Sequence, residues 1–189
     1  DPRYPGQEIA NASAGSFGGG SASYAANTYI VEAEGIYVGY KYFETRYFDS
    51  IMNPGYNASS SKGATQSANW DYNKEVLYSF GHGLSYTRFK YGKIAADAKE
   101  MAAGDSLTFT VPVTNTGDVA GAEVVQLYIT DNKASVMRPA KELKGFGKVY
   151  LQPGETRDVT FTIGKDDLAF FDADRHEWVA EPGKFTAHA

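Results

Sequence analysis

No cysteine occurs in the 189 residues, so disulfides and thiolate metal sites are excluded. Histidine is nearly as scarce. His82, His176 and His188 show no His-x-x-x-His spacing, and a zinc site would need several carboxylates in place of the missing sulfur. The acidic group Asp166, Asp167, Asp172, Asp174 and Glu177 lacks the spacing and the glycine of a calcium loop. It reads as a solvated hairpin rim. No block of five like charges occurs, and the net charge of −5 argues against a nucleic-acid partner, because phosphate backbones require clustered Lys and Arg. No apolar run approaches the ~18 residues of a membrane span, and no basic-then-apolar leader opens the chain. We therefore expect no metal, no cofactor, no nucleic acid and no membrane partner. The absence of disulfides fits a bacterial cytoplasmic protein and a secreted one alike, so the compartment stays open. The start at Asp1-Pro2 suggests a processed product or an excised fragment.

What the chain does contain is aromatic and apolar material. At 42% hydrophobic it can build a core, and its length suits one domain plus a substantial extra segment. Residues 1–28 are rich in Gly, Ala and Ser around Gly18-Gly19-Gly20, a composition that favours a flexible connection. From 29 to 48 the chain turns aromatic and β-branched. Ile36, Val38, Tyr40 and Tyr42 alternate with Tyr37, Gly39, Lys41 and Phe43, which predicts a strand with apolar groups on both faces. Such a strand needs cover on both sides, so it should be partly exposed here or covered by another chain. Residues 49–75 read as a long polar loop, of the kind that is functional or disordered, yet they carry Tyr56, Trp70 and Tyr72.

From Phe89 onward the pattern is all β. Leu107, Phe109, Val111 and Val113 alternate with polar partners, as do Val125, Leu127 and Ile129, and Val159, Phe161 and Ile163. This is the period of half-buried strands. Asn115-Thr116-Gly117-Asp118 and Leu151-Gln152-Pro153-Gly154 are turn sequences. A strand over 144–151 and further ones around Phe170-Phe171, Trp178-Val179 and Phe185 complete roughly seven, at sandwich spacing. Trp178 is assigned to the packed interior with Phe109, Val111, Leu127 and Phe161. The one helical turn expected is Lys165-Asp166-Asp167-Leu168.

Several motifs together resemble one family. Phe-Gly-His-Gly-Leu-Ser-Tyr-Thr at 80–87 stands before the β segment, and Gly-Ile-Tyr-Val-Gly-Tyr-Lys-Tyr at 35–42 precedes it. Gly-Ala-Glu-Val-Val-Gln-Leu-Tyr-Ile-Thr-Asp at 121–131, Arg-Pro-Ala-Lys-Glu-Leu-Lys-Gly-Phe at 138–146 and Leu-Gln-Pro-Gly-Glu-Thr at 151–156 follow in order. These are similar to the C-terminal region of family 3 glycoside hydrolases of the β-glucosidase type. The resemblance covers about 29–189. It implies a mainly β fold: a fibronectin type III-like, immunoglobulin-like β-sandwich over 89–189. The terminal strand and loops of an α/β sandwich domain would precede it over 29–88, after the flexible 1–28.

The family's nucleophile is an Asp in a Ser-Asp-Trp type context, which this sequence lacks, and no Glu here matches its acid/base. The resemblance therefore transfers no catalytic residue. Read on their own, Glu32 and Glu34 lie two apart on one strand with no opposed wall to hold a sugar between two carboxylates, and they read as solvated. His82 stands where members of that family often carry Tyr, so the resemblance implies a packed, hydrogen-bonded role. The acceptor patterns at Asn11 and Asn57 arise easily in Ser-rich segments. Sugar rings stack on aromatic faces, so Tyr56, Trp70 and Tyr72 are the candidate substrate-binding residues; the structural reading is that Trp70 and Tyr72 pin the loop.

The implied function is an accessory region of a β-glucosidase-type enzyme, itself not catalytic, that stabilises the catalytic domains and borders the substrate entrance. Its parent would perform retaining hydrolysis of terminal β-linked sugars without a cofactor. Its partners would be those domains and the carbohydrate. The alternative is a stand-alone carbohydrate-binding or adhesion module, which needs an exposed aromatic platform. An independently catalytic protein would need an opposed carboxylate pair in a pocket.

Overall fold

A computed structural model describes residues 36–47 and 71–189. The Gly-rich start, Glu32, Glu34, Asn11, Asn57, Tyr56 and Trp70 lie outside them. The chain divides into two compact units. Among the described residues the first holds 36–47, 71–78 and Met137–Ala140, and the second holds Ser79–Val136 and Lys141–Ala189.

In the first unit the expected strand is a helix. After Gly39, at φ +60°, α1 runs over Tyr40–Tyr47, with the amides of Tyr42 and Phe43 donating to the Gly39 carbonyl at 3.1 and 3.5 Å. The alternation of aromatic residues suggested period two. The side chains that are buried are Tyr42, Thr45 and Arg46, spaced at i, i+3 and i+4, which is one face of a helix. Tyr37 is buried too, while Ile36 and Val38 are exposed; the rest of the expected 29–48 strand, residues 29–35 and 48, lies outside the described residues. Thr45 Oγ1 accepts the Ala140 amide at 3.0 Å. The described end of the long loop is likewise not featureless, since α2 spans Tyr72–Glu75.

The second unit is antiparallel β throughout. Its strands are β1 (Phe89–Tyr91), β2 (Ala95–Ala96), β3 (Ser106–Asn115), β4 (Gly121–Asp131), β5 (Glu142–Leu151), β6 (Thr156–Gly164), β7 (Phe170–Asp172), β8 (Glu177–Val179) and β9 (Phe185–His188). In one sheet β3 pairs along its length with β6, and β1 and β2 share its other edge. Pro112 fits inside β3 because β1 pairs only as far as Val113 and β2 begins at Thr110, which leaves a gap where the missing N–H would point. The second sheet has the order β5-β4-β9, and β7 and β8 form a separate hairpin. The helical turn α3 covers Lys165–Leu168, as the sequence suggests, with Asp167 Oδ2 accepting the Gly164 amide at 2.8 Å.

The core lies between the sheets. Phe109 stands opposite Phe161 in the β3–β6 register, and both pack with Val111, Val113, Val125, Leu127, Ile129, Val149, Leu151 and Ile163. At ~25 cal/mol per Å² of apolar surface removed from water, such alternating sets supply the drive that holds the layers together. Gly145 faces inward here. A Cβ on it would come 2.9 Å from the Phe161 ring, so the absence of a side chain lets β5 approach β6. A β-bulge at Leu127/Tyr128 shifts the pairing from Gly145 to Leu143.

Trp178 does not join this core; it is 68% exposed. The β7–β8 register pairs Phe170 with Val179 and Phe171 with Trp178. The first pair is half-buried and the second exposed, so alternation turns Trp178 outward together with Phe171. His82 is also exposed rather than packed.

Candidate functional site

Tyr72 is the one member of the proposed sugar-stacking trio within the described residues. Asp71 caps α2: its backbone is extended, and its Oδ1 accepts the Asn73 amide at 3.1 Å, the usual device for an exposed helix start. Lys74 Nζ stands 3.5 Å from Asp71 Oδ2. The Tyr72 hydroxyl donates to Glu44 Oε1 on α1 at 2.7 Å, which fixes the half-buried ring. Sequence reasoning missed Glu44 because the strand reading placed it outside any site. Its signal lay in the helical spacing of Tyr42, Thr45 and Arg46. Tyr56 and Trp70 are outside the described residues, so nothing brings the trio together.

The motif at 80–87 crosses the second unit. Gly81, at φ +82°, lies so close to β4 that a Cβ there would run into the Gln126 side chain. Phe80, Leu84 and Tyr86 are exposed. At its end the Thr87 hydroxyl donates to Asn115 Oδ1 at 2.6 Å. Asn115 is fully buried, and its Nδ2 donates to the Val119 and Leu151 carbonyls at 2.8 and 3.0 Å.

The two outer faces of the sandwich differ. On β3–β6 the outward residues are mostly threonines, beside Pro112 and Asp158, and two sets meet as hydroxyl pairs, Thr108 with Thr162 at 3.2 Å and Thr114 with Thr156 at 2.8 Å. On β4–β5 the outward positions hold Ala122, Val124, Phe146, Lys148 and Tyr150, with Phe146 72% and Tyr150 56% exposed. Further along this face Lys141 Nζ lies 5.1 Å from the Tyr128 ring centre, and His188 Nε2 lies 3.0 Å from Thr130 Oγ1. Partial desolvation, and secondarily Lys141, hold the exposed His188 imidazole below its ordinary range. Burial, then its hydrogen bond to Glu123, push the Tyr91 phenol upward.

The acidic group does not gather into a cation site. Asp172 Oδ1 accepts the Asp174 and Arg175 amides at 3.0 and 3.1 Å, and its Oδ2 lies 3.4 Å from Arg175 Nε, so it closes the β7–β8 turn. Among the described residues, no cluster of three or more His, Asp or Glu could hold a metal, and no helix is long and apolar enough to cross a membrane.

Comparison with known proteins decides the class of the sandwich. Residues 123–189 match the fibronectin type III-like domain family. The sandwich is a fibronectin type III-like domain. The chain carrying it is 41% identical over 152 residues to the thermostable β-glucosidase B of Acetivibrio thermocellus, covering 80% of this chain and 17% of that protein. It is 50% identical over 121 residues to the β-glucosidase BoGH3A of Bacteroides ovatus, covering 63% of this chain and 16% of that one. Among solved structures it resembles the family 3 β-glucosidase of Bifidobacterium adolescentis, with a TM-score of 0.62 and 34% identity over 82% of this chain and 18% of that one. The chain therefore spans about one-sixth of the length of the curated relatives it matches. It corresponds to the C-terminal portion of family 3 β-glucosidases, in which the fibronectin type III-like domain is a small part of a larger protein.

Proposed function

We propose that this chain is the accessory C-terminal region of a β-glucosidase-type hydrolase that removes terminal β-linked sugars with retention. In this reading it stabilises the catalytic domains, and the Tyr72–Glu44 pair borders the substrate entrance with Tyr56 and Trp70. One observation carries the reading: the similarity runs over 80% of this chain yet covers only 17% of the relative. The test compares the 189-residue chain with the full product of its gene on an aryl β-glucoside. The full product should turn over and release the β-anomer first, whereas the chain alone should match the buffer rate. Turnover by the pure chain would overturn the proposal. In the full protein, Tyr72→Ala should raise KM more than it lowers kcat, and unchanged kinetics would remove Tyr72 from the entrance.

The exposed Phe171–Trp178 pair favours a second reading, a carbohydrate-binding module. The ring centres are 5.7 Å apart and the planes are inclined at 69°, so one ring at most lies flat beneath a pyranose. Binding of the isolated chain to a soluble β-glucan, lost in Trp178→Ala, would support this reading.

A further inference from the structure

The fibronectin type III-like domain has one outer face that suits water and one that does not. The β3–β6 face is polar, with two threonine hydroxyl pairs and Asp158 among its outward residues. On the β4–β5 face Phe146, Lys148 and Tyr150 follow at every second residue of β5, and Val124 and Ala122 stand beside Lys148 and Tyr150 in the register. Aromatic side chains each bring 150–250 Å² that water solvates poorly, and contiguous exposed apolar groups mark interaction surfaces where scattered ones do not.

Charge narrows the partner. The chain is acidic overall, at −5, yet no Asp or Glu occupies an outward position over 121–128 on β4 or 143–151 on β5. Glu123 points the other way, pairs with the buried Val149 and accepts the Tyr91 hydroxyl at 2.7 Å. Lys148 therefore stands between two aromatic rings without an outward carboxylate beside it on these strands. The motif at 80–87, which leads into the sandwich, meets this face where Gly81 lies against the Gln126 side chain.

We infer that the outer face of β4–β5 is the surface by which this domain docks onto the catalytic part of its own polypeptide, against an apolar patch bordered by carboxylates that meet Lys148. The inference rests on the accessory reading above and specifies its partner surface. The relatives supply about five-sixths of their length beyond the matched region, enough to cover such a face.

The test is hydroxyl-radical footprinting of the 189-residue chain and of the full gene product side by side. Oxidation of Phe146 and Tyr150 should slow about tenfold in the full protein, the scale of a buried interface anchor, while Phe171 and Trp178 keep their rate. Protection of Phe171 and Trp178 in place of Phe146 and Tyr150 would overturn the inference and leave the accessory reading standing. Equal oxidation at all four in both forms would overturn it as well. A full gene product that hydrolyses no β-glucoside would count against the accessory reading itself, whatever the footprint. As a second arm, Phe146→Ser with Lys148→Glu in the full protein should speed proteolytic release of the domain about tenfold. Lys148→Arg and Thr160→Glu should not. Equal release in all variants would also overturn the inference.

Discussion

The hydroxyl of Thr87 and the side-chain oxygen of Asn115 stand 2.6 Å apart, and this bond fastens the end of the 80–87 motif to the β3–β4 turn. Asn115 Oδ1 also accepts the Gly117 amide at 3.0 Å, while Nδ2 reaches the Val119 and Leu151 carbonyls. One buried amide thus serves the connection into the sandwich and two strand ends. Replacing it by an apolar isostere leaves the buried Leu151 carbonyl unsatisfied, worth roughly 1–3 kcal/mol, and three part-buried groups without this partner. Asn115→Leu should therefore lower stability by about 2–4 kcal/mol, and Thr87→Val by about 1 kcal/mol, read from urea midpoints by circular dichroism.

Phe161 and Thr160 test the strand phase. Phe161 is buried against Phe109 and the inward Gly145, so Phe161→Ala should cost about 3–5 kcal/mol. Thr160 is exposed, and Thr160→Ala should cost under ~0.5 kcal/mol. Gly145→Val should destabilise the chain by about 1–3 kcal/mol by overpacking the same ring. The same denaturation curves read all three.

Trp178 should behave as a surface residue. Its edge-to-face contact with Phe171 is worth about 0.5–1.5 kcal/mol, so Trp178→Ala should lose no more than that. A core tryptophan would lose about 3–5 kcal/mol.

His188 gives a pH dependence with a definite sign. Its folded pKa lies below the ordinary 6.5 because partial desolvation, then Lys141, disfavour the imidazolium of this otherwise exposed side chain. As pH falls through about 6.5 the unfolded chain takes up a proton that the folded chain refuses. Stability present above that pH is therefore lost as pH falls through the folded value. His188→Gln should flatten the decline in urea midpoint between pH 7.5 and 5.

The sandwich was legible because its strands alternate cleanly. Phe109, Val111 and Val113 are separated by Thr110 and Pro112, and Phe161 and Ile163 by Thr162, so period two leaves one assignment. Around α1 that logic fails. Tyr and Phe occur on every side, and the buried stripe includes Thr45 and Arg46, which a hydropathy pattern counts as surface. Trp178 was misplaced because size alone favours burial, whereas the hairpin register with Phe171 decides which way it points. The role of Asn115 was half legible. Its place in a turn sequence was plain, and so were its local bonds to Gly117 and Val119, but its bonds to Thr87 and Leu151 depend on segments distant in the chain. Of the proposed sugar site, the sequence supplied Tyr72 but not the Glu44 that orients it, since that partner comes from the misread helix.

The bulge at Leu127/Tyr128 makes Lys144 a supernumerary residue in β5, because Leu127 pairs with Gly145 and Tyr128 with Leu143. It works as a phase joint, and the two halves of the strand keep their own inside and outside. Removing Lys144 alone would restore plain alternation, at the loss of its 2.8 Å ion pair with Glu142. Removing any one residue from 146–150 would instead turn part of the strand over, carrying lysine or aromatic groups into the core. Length variation of one residue is thus tolerable at one place in this strand and ruinous a turn of the pleat away.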